Sequence, residues 1–253
     1  MAASADSADD LNDALIRERH DLRGLLRTLD PDEWDLPTEC PAYSVQGVAT
    51  HILGDDLSLL SRQRDGAPAG LITLAVDMPG TDFRTLLDTF NDGWVAAARF
   101  CSPQLLIDLL DASGRWSNDF YGTVDPAAPS EPIPMFGAFD RPAPYWQAIA
   151  REYLERWVHH SQIRRAIGRS SLDDPLYVRT GASILAAMAD TTADEPESPD
   201  GAWHIGNVSL GERQQAAAVL TRAYTPTELD TMLSGPPEEC QLLGAAAGRP
   251  ADP

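Results

Sequence analysis

Lysine is absent. All 19 basic residues are arginines, and set against 39 acidic residues they leave a net charge of −20 over 253 residues. Such a surface repels a nucleic-acid duplex, and no arginine cluster is dense enough to release phosphate counterions, so nucleic acid is not expected as a partner. The same charge opposes an anionic membrane surface. No run of 18 apolar residues occurs, and the opening MAASADSADD carries acids where a signal peptide has a basic start and an apolar stretch. A cytoplasmic protein with no membrane partner is expected. Cysteine is scarce too: Cys40, Cys101 and Cys240 are odd in number, far apart and in no CxxC pair, which argues against a disulfide framework and a cysteine zinc site. The rest of the composition is ordinary. With 43% hydrophobic and 23% charged residues, neither wholesale disorder nor a fibrous repeat is expected.

Helical spacing organises the first two thirds of the chain. After a small, acidic, frayed start, Leu11, Leu15, Leu22, Leu25, Leu26 and Leu29 recur on one stripe that stops before Asp30-Pro31. Ser44 can cap a second helix with the stripe Val45, Val48, Ile52 and Leu59, stopping near Gly66. A third periodic run extends from Phe83 to Cys101. From about Gly114 to Pro144 the chain is rich in proline, glycine and aromatics, which predicts one long crossing loop; Phe136 and Phe139 in it are candidates for a pocket lid. A fourth helix runs from about Tyr145 to Gly168, with Trp146, Tyr153 and Trp157 expected in the core. Four helices and one long connection predict a bundle over 8–170.

Residues 171–253 read as a small α+β domain. A helix near Tyr177–Ala189 is followed by the acidic linker TADEPESPDG, and AWHIGNVSL alternates like a strand. Two more helices follow, the second opened by Thr225-Pro226-Thr227-Glu228, a capping box with proline at the first helical position. The last dozen residues look loose.

Only five histidines occur, His20, His51, His159, His160 and His204, so one on a buried stripe stands out. His51 sits at the edge of the second helix's apolar stripe and is expected to face inward. Glu155 and His159, four residues apart on the fourth helix, share a face. A carboxylate and two imidazoles make the three-ligand set of an open zinc site. The same Glu–His spacing also suits a surface helix pair, and both uses are open at this point. His160 points about 100° away from His159 and reads as a capped or solvated side chain.

Two segments carry a family resemblance. WDLPTECPAYSVQGVATHILGDDLSLL, with its tryptophan, CP-aromatic turn and helix ending in a histidine, and YLERWVHHSQIRRAIG, with E-x-x-x-H and a basic helix end, together resemble the DinB-like proteins grouped with mycothiol-dependent maleylpyruvate isomerase. The similarity spans roughly residues 8–170. It implies a mainly α fold, a DinB-like four-helix bundle with one long crossover loop plus a small α+β C-terminal domain. It also implies that His51, Glu155 and His159 bind a divalent metal, zinc being expected, and that mycothiol, a low-molecular-weight thiol, is the cosubstrate. The implied chemistry is a metal-bound thiolate that isomerises or S-conjugates a small electrophile. Arg164 and Arg165 are candidates for binding carboxylates of the thiol or substrate, with helix-end solvation as the alternative use. The departures from the family pattern are Gln162, where many relatives have an aspartate, and Tyr43, where tryptophan is common. Asp55 stands one turn after His51, where it can orient the imidazole. No catalytic arginine is matched in the C-terminal region. The alternative function is a non-catalytic metal-binding regulatory or stress-response protein on the same fold.

Overall fold

The computed structural model describes residues 8–40, 42–130, 144–194, 196, 201–224 and 226–247. Among them the chain is mainly helical, a helical bundle followed by a small antiparallel sheet with its own helices near the C-terminus, which is the fold class expected from the sequence. It forms two compact units, residues 16–123 and residues 1–15 with 124–253.

In the 16–123 unit, helix α1 (Ala8–Leu26) contributes its C-terminal part, burying Leu22, Leu25 and Leu26. A short 3-10 turn (Pro31–Asp35) buries Trp34 and leads to α2 (Val45–Leu59). Ser44 caps α2, its Oγ accepting from Gly47 N at 3.3 Å. The polar residues of α2 give no wide solvent face, and Val45, Val48, Ala49, Ile52 and Leu53 are all buried. A π-helical turn (Leu60–Arg64) unwinds its end, and Gly66, at φ +68°, closes it where the sequence predicts the stop. Helix α3 (Gly70–Asp77) and α4 (Phe83–Ala98) follow, α4 lying across α2 with Trp94 over Gly54. A Cβ on Gly54 would fall 2.6 Å from Trp94 Cβ, so glycine permits that approach.

Helix α5 (Pro103–Tyr121) runs through Gly114 and corrects the loop expected from about Gly114 to Pro144. Ser102 caps it and Pro103 starts it, both ordinary helix-opening signals. Gly114 is not a break. A Cβ there would lie 3.0 Å from Arg19 Cγ, so the glycine makes room for an arginine passing between helices. That arginine is the centre of a buried network: Arg19 Nη2 reaches Asp56 at 2.8 Å, Arg19 Nη1 donates to Leu110 O at 3.0 Å and Ser113 Oγ donates to Asp56 at 2.7 Å. It ties α1, α2 and α5 together. Helix α3 was also unforeseen, because eight residues are too few to show a period.

In the other unit, α6 (Tyr145–Ala166) packs against α7 (Pro175–Met188), which Asp174 caps through Leu176 N at 2.8 Å. Gly168 at φ +71° stops α6 where expected. Tyr153 and Trp157 are buried in a stack with Tyr177, as the spacing predicts, whereas Trp146 is half-buried. The expected single strand is a hairpin, β2 (Trp203–Ile205) and β3 (Val208–Gly211), turned at Gly206 with φ +56°. A short β1 (Ala193–Asp194), inside the expected linker, completes a sheet of order β1-β2-β3. Trp203, Ile205, Val208 and Leu210 alternate inward. Helix α8 (Arg213–Leu220) packs on β3 and α7, and α9 (Pro226–Met232) begins at the expected proline. The expected cap Thr225 lies outside the described residues, as do Phe136 and Phe139. The expected loose end is helical as far as α10 (Pro237–Ala247), and Glu239 of α10 accepts from Asn207 Nδ2 at 2.9 Å. No helix among the described residues is long and apolar enough to cross a membrane.

Candidate metal centre

Helical geometry sets up the candidate centre on α6. Residues four apart stack one turn above each other, and residues three apart share the same flank. Glu155 Oε2 therefore lies 3.8 Å from His159 Nε2, and His159 Nδ1 lies 2.8 Å from Gln162 Oε1. The amide oxygen accepts, which fixes the Nδ1 proton and leaves Nε2 as the ring nitrogen that faces Glu155. Gln162 is thus the hydrogen-bond partner of His159 on α6.

Arg222, just past α8, donates from Nη2 to Glu155 Oε1 at 2.8 Å. Burial opposes ionisation of Glu155, but the positive charges of Arg222, His159 and Arg151 and the Arg222 hydrogen bond outweigh it and hold the carboxyl down at about 2. Glu155 is an anion at any physiological pH. Sequence reasoning did not find Arg222. Its signal was an arginine two residues past the apolar run AAAVL, at the place where glycine ordinarily ends a helix.

His51 is buried on α2, in the 16–123 unit. Its Nε2 is 3.6 Å from Asp55 Oδ2, an ion-pair distance and too long for a hydrogen bond, and its ring is 6.0 Å from that of Tyr43. Tyr43 donates to Asp92 Oδ1 at 2.8 Å, and burial first, then this bond and the nearby acids, push its hydroxyl well above the usual tyrosine range. The aromatic that replaces the common tryptophan is thereby fixed beside the imidazole.

Of the expected ligands the structure brings together Glu155 and His159; His51 belongs to the other compact unit. Among the described residues no three His, Cys, Asp or Glu side chains are gathered tightly enough to hold a metal ion. The α6 pair nonetheless fits one. Carboxylate oxygen and imidazole nitrogen are zinc donors, and their 3.8 Å separation is close to the roughly 3.4 Å that two ligands of a tetrahedral zinc ion span.

Arg164 and Arg165 cross-brace the end of α6. Arg164 Nε donates to Ser170 O at 2.7 Å, and Arg165 donates to Ser171 Oγ at 2.8 Å and to Thr221 O at 3.2 Å. His160 corrects its expectation as a capped or solvated side chain: it is 1% exposed, because the flank of α6 about 100° round from His159 is covered as well.

Residues 15–164 match the family model described as the mycothiol maleylpyruvate isomerase N-terminal domain. The chain belongs to this family. The matched segment carries His51, Glu155, His159, Gln162 and Arg164 and ends before Arg165 and Arg222. Comparison with curated proteins and with solved structures finds no match.

Proposed function

We propose that this member of the mycothiol maleylpyruvate isomerase family is a cytoplasmic, metal-dependent enzyme that uses mycothiol to isomerise or S-conjugate a small electrophile. Its metal ligands are His51, Glu155 and His159, and zinc is the expected ion. The observation that carries this reading is the Glu155–His159 pair, two zinc donors facing each other at 3.8 Å within the family-matched segment. A divalent cation held there supplies a lowered thiol pKa, so that sulfur is nucleophilic at neutral pH.

The chain's own residues do the rest. Glu155 stays ionised because of its cationic neighbours, so its oxygens are donors without waiting for deprotonation. Gln162 holds the His159 proton on Nδ1 and turns Nε2 toward the same point. Arg164 and Arg165 are proposed to meet carboxylates of the thiol or substrate, for which guanidinium forks are suited. The thiol sulfur bonds to one carbon of an activated double bond as a proton goes to its neighbour. Rotation about the new single bond and elimination then return the thiol and the isomer. Without elimination the S-conjugate is the product.

The alternative, a non-catalytic metal-binding regulatory or stress-response protein on the same fold, shares the Gln162 hydrogen bond to His159 and differs from the enzyme in showing no thiol-dependent turnover. The test is elemental analysis of untagged protein and its His51→Ala and His159→Ala variants, followed by thiol-dependent isomerisation and conjugation assays. About one zinc per chain, lost in both variants, with turnover that requires thiol, is expected. A wild-type chain without metal after zinc incubation overturns the proposal.

A further inference from the structure

Arg222 lies outside the segment that the family model matches, and its backbone is unusual. It has φ +57°, in the left-handed region that glycine adopts without penalty and an arginine does not. It is the residue that ends α8, with Arg222 N bonded to Val219 O at 3.3 Å and Ala223 N to Ala218 O at 2.8 Å. Glycine would serve this turn better, so the side chain has another use. The corner is held in place from α6: Arg165 Nη2 donates to the carbonyl of Thr221, itself wholly buried, at 3.2 Å. From there the Arg222 guanidinium returns to α6 one helical stretch earlier and takes Glu155 Oε1 at 2.8 Å.

The two carboxylate oxygens of Glu155 are thereby made unequal. Oε1 accepts from Arg222, and Oε2 is the one that faces His159 Nε2. We infer that Arg222 is a positioning residue of the metal site, holding Glu155 by one oxygen so that the other is presented to the cation beside His159. The inference rests on the metal reading above. It gives each α6 ligand its own orienting partner, Gln162 for the imidazole and Arg222 for the carboxylate, and such partners matter for affinity nearly as the ligands do. It also gives the C-terminal elements a share in metal binding, since the corner after α8 carries this guanidinium.

The test compares zinc dissociation constants, by competition with a chromogenic chelator, for the full-length chain and its Arg222→Gly, Arg222→Lys and His159→Ala variants. Arg222→Gly keeps the corner's backbone and removes only the side chain, so metal-free melting temperatures check that it folds. The expected result is zinc binding weakened by about 10- to 100-fold in Arg222→Gly and partly restored in Arg222→Lys. Cobalt(II) bound to Arg222→Gly is expected to show an altered visible spectrum, as Glu155 becomes able to engage through both oxygens. Binding in Arg222→Gly as tight as in the unmodified chain, or tighter, with His159→Ala still defective, overturns the inference and leaves the metal reading standing. No zinc bound by the unmodified chain overturns both.

Discussion

Replacing Asp56 by alanine probes the buried ion pair that ties α1, α2 and α5 together in the 16–123 unit. Asp56 is wholly buried, its oxygens taking Arg19 Nη2 at 2.8 and 3.1 Å and Ser113 Oγ at 2.7 Å, while the Arg19 side chain is only 4% exposed. Alanine removes the counter-charge and leaves the guanidinium inside, for which losses of about 3–5 kcal/mol are usual. Counting instead two hydrogen bonds to charged groups at about 1.5–3 kcal/mol each leads to the same range. For a chain of this size the melting temperature should fall by roughly 6–20 °C. Asp56→Asn keeps an acceptor but not the charge, and should cost about half as much. The double variant Arg19→Met with Asp56→Leu removes both charges, and should return to within about 2 kcal/mol of the starting stability. Denaturant unfolding followed by circular dichroism and tryptophan fluorescence measures all three. A loss below about 1 kcal/mol in Asp56→Ala, or a double variant worse than the single ones combined, would refute the reasoning.

Packing, orientation and protonation provide three further predictions. Gly181→Ala places a Cβ 2.4 Å from Trp157 Cζ3 in the rigid Tyr153–Trp157–Tyr177 stack, and should cost about 1–3 kcal/mol in spite of alanine's better helix propensity. Gly93→Ala, with open space around the new methyl, should instead stabilise by about 0.5–1 kcal/mol, and thermal unfolding of the pair separates the two effects. Gln162→Leu removes the acceptor of the His159 Nδ1 proton and should weaken zinc binding about tenfold in chelator competition, whereas Gln162→Asp should strengthen it; equal affinities for all three would count against the orienting role. In the metal-free chain, Glu155 has its pKa lowered from 4.5 to about 2, so its contribution to stability, on the order of 3 kcal/mol, is complete above pH 4.5 and is lost as pH falls toward 2. Arg222→Gly should flatten that acid limb in urea midpoints measured against pH.

Periodicity and caps carried most of the fold. Ser44 with the Val45–Leu59 stripe, and Gly66 and Gly168 at the left-handed ends, are local signals, because capping and φ preference are decided within a turn of the chain. Glu155 and His159 were legible for the same reason: four residues on a helix are neighbours whatever surrounds them. What failed locally was decided by packing. Gly114 reads as a helix breaker until Arg19, distant in sequence, is seen to need its missing Cβ, and AWHIGNVSL reads as one strand until Gly206 turns it into two. The buried Arg19–Asp56 pair and the burial of His160 have no periodic signature at all, since a charged residue on an apolar face is tolerated only when its partners are supplied from other elements. Arg222 is the clearest division between the two. The residues of α6 alone determined the pair of donors, whereas the guanidinium that selects which Glu155 oxygen is presented arrives across 67 residues, by a corner whose direction only the packing of α8 decides.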